Sequence, residues 1–125
     1  MTIYLPPSKT APTPWQIEKF NALYRKIHER LDPGTAEEYS LCNEVVVALW
    51  FYRLYRGQAQ VFEKELKGLR QQNAEASRIA QLEASLRHAT HQSHLQKNFA
   101  WRRRGKFFHI KTEREKNERR LPLAA

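Results

Sequence analysis

Cysteine is nearly absent from this chain: Cys42 stands alone, so no internal disulfide framework is available, and a reducing compartment is the natural setting. Long apolar runs are missing as well. The longest, Val45 to Tyr52, is bounded by Glu44 and Arg53 and is far shorter than the roughly 20 residues a bilayer requires. No basic segment followed by an apolar one opens the chain, so no secretory leader is read, and a cytoplasmic protein is expected. Also missing are a glycine-rich phosphate loop, a paired-carboxylate site and a nucleophile motif. The chain is therefore read as non-catalytic and without a cofactor. Glycine is scarce, at four residues, which leaves long stretches uninterrupted for helix formation.

Acidic residues are in the minority. Lys and Arg total 22 against 13 Asp and Glu, a formal charge of +9 over 125 residues. The excess is local: between Lys97 and Arg120, ten Lys or Arg stand against three Glu. A nearly neutral body with a cationic C-terminal quarter favours an anionic partner, nucleic acid first and an acidic membrane surface a distant second.

Apolar residues recur at alternating steps of four and three through Leu41, Val45, Ala48, Tyr52, Tyr55, Ala59, Phe62, Leu66 and Leu69. This heptad seam predicts one long amphipathic helix, of coiled-coil or helical-bundle type, from Ala36 to about Arg70. Gly57 and Gly68 interrupt it, each weakening the helix by about 1 kcal/mol and each a possible kink. An earlier helix starts at Thr13-Pro14-Trp15-Gln16, where Thr13 caps, Pro14 suits the first turn and Gln16 completes a capping box. Ile17, Phe20, Tyr24, Ile27 and Leu31 supply its apolar stripe. Asp32-Pro33-Gly34-Thr35 breaks it, with Gly34 placed to accept positive φ and Thr35 to Glu38 forming a second capping box. So short a connection predicts an antiparallel helical hairpin.

A thinner seam, Ile79, Leu82, Leu86 and Ala89, predicts a third helix ending near Leu95 or Phe99. Thr112 to Glu115 would then open a short charged helix that stops before Pro122. The expected fold is all-α: an extended arm at 1–12, a helical bundle at 13–99 and a basic-aromatic extension at 100–125. Around the seam of the long helix, Val46, Trp50, Phe51 and Leu54 are apolar too. They either mark an interface, for a homo-oligomer or a protein partner, or are covered by the arm together with Phe99 to Ile110.

The clearest functional signal is Trp101-Arg-Arg-Arg-Gly-Lys-Phe-Phe-His-Ile-Lys111. Lys97, Arg102, Arg103, Arg104, Lys106 and Lys111 can meet phosphates, and Trp101, Phe107 and Phe108 can stack on unpaired bases. The expected function is non-catalytic binding of RNA or DNA, as in a small subunit of a nucleoprotein assembly. The alternative is a structural or adaptor protein that associates through its long helix without nucleic acid. His88, His91 and His94 fan out around a helix, with no carboxylate or Cys at ligand spacing, so they predict no metal site. Cys42 beside the seam predicts a buried, inert thiol rather than a nucleophile.

The run from Glu44 to Arg56, preceded by the Asp-Pro-Gly-Thr break, resembles a family of uncharacterised bacterial helical proteins. Its members carry a Glu, a run of small apolar residues, an aromatic such as Trp, and spaced Arg on a long helix. The similarity extends over about Ile17 to Leu66, and the chain lacks the Gly- and Asn-containing N-terminal motif of that family. The resemblance implies a helical fold and assigns no function.

Overall fold

The structure, a computed structural model, describes residues 13–124, with side chains described as far as residue 119. The expected arm at 1–12 lies outside the described residues. The fold is all-α, with three helices: α1 (Pro14–Leu31), α2 (Ala36–Gln71) and α3 (Ala76–Ala124). No strand occurs among the described residues, and none of their helices is long and apolar enough to cross a membrane.

Local chemistry accounts for the helix ends. Thr13 and Gln16 form the reciprocal capping box, with Gln16 N donating to Thr13 Oγ1 at 3.2 Å and Thr13 N to Gln16 Oε1 at 2.9 Å. α1 stops where Asp32 turns left-handed at φ 51, its N–H donating to the His28 carbonyl. The positive φ expected at Gly34 thus falls two residues earlier, and no described glycine adopts one. Gly34 serves a different need. A Cβ there would lie 2.8 Å from Arg114 Nη2, so a side chain at this position would push the guanidinium from its present place. α2 ends in a Schellman turn built on Asn73 (φ 55), with Ala74 N donating to Leu69 O and Asn73 N to Arg70 O.

The described residues form two compact units that share α2 and α3. One comprises residues 49–97. Within it the two helices run in opposite senses: Arg70 Nη2 donates to Glu83 Oε2 at 2.7 Å near the turn, and the Lys97 ammonium lies 6.0 Å from the Tyr52 ring. Leu66 and Ala89 are buried there. Gly57 and Gly68 have open space where a Cβ would stand, so neither marks a close helix contact, and α2 passes both without a break. Gly57→Ala and Gly68→Ala are therefore expected to stabilise the protein by about 1 kcal/mol each, read from urea unfolding midpoints. A loss of stability would show that one of these sites needs glycine.

The second unit contains residues 13–48 and 98–124. Its core joins all three helices: Leu31 of α1, Leu41 and Cys42 of α2, and Phe107 of α3, with Ile27 and Ile110 packed against them. Cys42 is fully buried, and burial pushes its thiol pKa up, which keeps it protonated and unreactive. His28 Nε2 lies 2.9 Å from Asn43 Oδ1, a further tie between α1 and α2.

This unit revises the expectation for the C-terminal quarter. α3 does not end near Leu95 or Phe99, and Thr112 starts no new helix; one helix runs from Ala76 through Gly105 and Pro122 to Ala124. Residue 99 marks no helix end. The reason is physical: Phe107 is 0% exposed, which anchors the second half of α3 in the core. The segment from Phe99 to Ile110 folds back and helps cover the start of α2, one of the two outcomes the apolar surplus of α2 allows. Val46, expected at an interface, is 1% exposed and belongs to this chain's own core, while Trp50, Phe51 and Leu54 are half-buried.

Candidate nucleic-acid interface

The second half of α3 has two sides. At about 100° per residue, Ala100, Arg103, Phe107, Ile110 and Arg114 share one side, and Trp101, Arg104 and Phe108 another. The first set faces α1 and α2. Arg103 Nε lies 2.9 Å from Glu44 Oε2, an ion pair rather than a directed hydrogen bond, and the Arg103 guanidinium sits 5.0 Å from the Phe99 ring. Lys111, beside this set, donates from Nζ to the Leu31 carbonyl at 2.7 Å and the Asp32 carbonyl at 3.0 Å. It neutralises the negative end of α1.

Arg114 reaches a fully buried carboxylate. Its Nε donates to Glu38 Oε2 at 2.5 Å and its Nη2 to Glu38 Oε1 at 3.1 Å, a two-point contact; Nη1 donates to Glu118. Gly34 N donates to the same carboxylate at 2.8 Å. Arg114 holds the Glu38 carboxyl below its ordinary range, with the Gly34 N–H assisting and burial opposing. The expected capping box at Thr35 is half present. Thr35 Oγ1 accepts from Glu38 N, but the Glu38 side chain reaches Gly34 N instead of Thr35 N.

The other side of α3 faces outward. Trp101 is 70% exposed, and Arg104 and Phe108 are exposed with it. The Arg104 guanidinium stands 5.6 Å from the Trp101 ring and 5.1 Å from the Phe108 ring, so a cation is held between two aromatic side chains. Phe108 meets Phe107 edge-on, with centroids 5.5 Å apart, which steadies the outer ring against the core. Arg102 and Lys106 lie one turn apart along an adjacent stripe. Both are exposed, and neither has a hydrogen bond or ion pair among the described residues. No acidic residue occurs between Glu83 and Glu113, so these cations have no carboxylate near them in sequence.

The expected phosphate and base contacts therefore divide. Trp101, Arg102, Arg104, Lys106 and Phe108 stand exposed on one unit. Phe107 is sealed in the core and has no face left for a base, while Lys111 and Arg103 are engaged with α1 and α2. Lys97 is exposed but belongs to the other unit. Sequence reasoning placed Glu38 in a capping box and missed its pairing with Arg114. A signal existed, since Arg114 follows Phe107 by seven residues and so shares its side of a continuous helix. His88, His91 and His94 are exposed, and among the described residues no group of three or more His, Cys, Asp or Glu stands close enough to hold a metal.

Comparison with protein-family models, with curated proteins and with solved structures finds no match to this chain, so the resemblance noted for Glu44 to Arg56 has no independent support.

Proposed function

We propose that this protein binds nucleic acid without catalysis, through the outward side of α3 between Trp101 and Phe108. The observation that carries the reading is the coincidence of three things on one exposed helical surface: cations without a carboxylate partner, solvent-facing aromatic rings and a stretch of α3 from residue 84 to 112 that contains no acid. Phosphates are attracted by Arg102, Arg104 and Lys106, with the accompanying release of counterions. The inward cations Arg103, Lys111 and Arg114 serve the fold, which fixes the orientation of the outward ones. In this reading the helical body is a rigid mount for a basic surface.

The test is affinity against salt. Arg102→Ala with Lys106→Ala removes two phosphate contacts while leaving the core untouched. The slope of log affinity against log salt should fall by about 1.5, at 0.7–0.9 per phosphate. Binding that keeps the wild-type slope in this double variant would place the interface elsewhere, and a protein that retains no nucleic acid even at low salt would end the proposal.

A further inference from the structure

We infer that the outward side of α3 takes a single strand rather than a duplex, with bases stacked on Trp101 and Phe108 and phosphates on Arg102 and Lys106. The inference rests on the nucleic-acid reading above and names the substrate class of the same surface.

Three features of the geometry lead there. First, the rings are exposed: Trp101 presents most of its indole to solvent, and Phe108 shares the same stripe. A duplex hides the faces of its bases and offers mainly phosphates and groove edges, for which a protruding indole has no use, whereas unpaired bases offer their faces to aromatic side chains. Second, Arg104 lies between the two rings, 5.6 and 5.1 Å from them. A guanidinium plane is itself a stacking surface, so Trp101, Arg104 and Phe108 make a continuous platform over two turns, about 10 Å of helix. Third, helical phase puts Gly105 on the crest between this platform and the stripe of Arg102 and Lys106. The crest carries no side chain there, and nothing lies within 4 Å of where a Cβ would stand. A strand running along α3 can place its bases on one flank of that bare crest and its phosphates on the other.

The platform is tolerant of base identity, because every base has a face to stack and no built pocket surrounds it. The ligand class is single-stranded RNA or DNA with little sequence preference.

The experiment measures fluorescence anisotropy of labelled oligothymidylate of about 15 nucleotides, a mixed-sequence single strand, and a duplex of the same length. The variants are Trp101→Ala with Phe108→Ala, Gly105→Gln, and Arg102→Ala with Lys106→Ala. The first should weaken single-strand binding by about tenfold or more and leave duplex binding within about twofold, since each stacked base is lost with its ring. Gly105→Gln fits the open space, so its helix content should match wild type while single-strand affinity falls. Arg102→Ala with Lys106→Ala should weaken every lattice alike. Equal affinity of the wild type for single strand and duplex, with no added effect of the ring substitutions, would overturn the single-strand inference and leave the nucleic-acid reading standing. No binding of any lattice would remove both. Binding of anionic vesicles that depends on Trp101, with none of oligonucleotides, would reassign the surface to a membrane.

Discussion

Phe107→Ala should destabilise the protein by about 4 kcal/mol, while Phe108→Ala, one residue later, should cost about 1 kcal/mol. The contrast follows from burial. Phe107 is fully enclosed among Leu31, Leu41, Cys42, Ile27 and Ile110, and so joins three helices at a single point. Truncating it removes a ring's worth of apolar contact and leaves a cavity that all three helices would have to collapse to fill. Phe108 is already 40% exposed, and it loses an edge contact with Phe107 and its contact with Arg104 without opening an enclosed cavity. At roughly 4 °C per kcal/mol for a chain of this size, Phe107→Ala should melt about 16 °C lower and Phe108→Ala about 4 °C lower. Urea unfolding followed by circular dichroism reads both. If the two variants melted together near the wild type, the second half of α3 would be an appendage and not part of the core.

That distinction was only half legible in the sequence. The starts of α1 and α2 could be read because their signals are local: Thr13 with Gln16, Pro14, and the Asp32-to-Thr35 break each act on their own neighbours. The seam of α2 could be read because its positions are almost all apolar. α3 has an equally regular seam, running at steps of three and four through Ile79, Leu82, Leu86, Ala89, Ser93, Gln96, Ala100, Arg103, Phe107, Ile110 and Arg114. Every one of these positions is buried or half-buried. Ser93, Gln96, Arg103 and Arg114 conceal it, because a search for apolar periodicity stops at each of them. Two are satisfied by carboxylates of α2, Arg103 by Glu44 and Arg114 by Glu38, contacts across more than fifty residues that no local pattern announces. Ser93 donates to the Thr90 carbonyl within its own helix.

The candidate site was legible in composition but not in orientation. Arg102, Arg103 and Arg104 are equivalent as letters. Once α3 is continuous, their phases differ by about 100° each, and Arg103 alone turns inward. The same rotation separates Phe107 from Phe108. A reading that ended the helix near Phe99 had no phase to apply, so it treated every cation and ring as equally available.

The interior ion pair makes the second large effect a matter of both residue and pH. Arg114→Leu should lower the melting temperature by about 10 °C near neutral pH, because it leaves the Glu38 carboxylate, 0% exposed, with the Gly34 N–H but no cation. Glu38→Gln should cost less, since the amide oxygen can still accept from Gly34 N or Arg114. The pH dependence separates charge from packing. In the native protein Arg114 first, and the Gly34 N–H after it, hold Glu38 below its ordinary value of 4.5 against the opposing effect of burial. The folded state therefore resists protonation more than the unfolded state. The stability this confers is complete above about pH 4.5 and fades as the pH falls through the lower folded value. Without Arg114 the largest cause that lowers the carboxyl is gone, and burial is opposed only by the Gly34 N–H and the Thr35 hydroxyl, so the variant loses less stability in acid than the wild type does. The gap between wild type and Arg114→Leu should narrow on acidification from neutral to about pH 3.5, and Glu38→Gln should lose the corresponding part of the wild-type acid sensitivity. Replacing both partners with apolar residues, Glu38→Met with Arg114→Leu, removes the stranded charge and should recover much of the loss, apart from the bond to Gly34 N. Thermal melts of the four proteins at the two pH values decide the matter: a double variant as unstable as Arg114→Leu at neutral pH, or a gap that does not change with pH, would mean that the helices are held here by shape and that the pair adds nothing of its own.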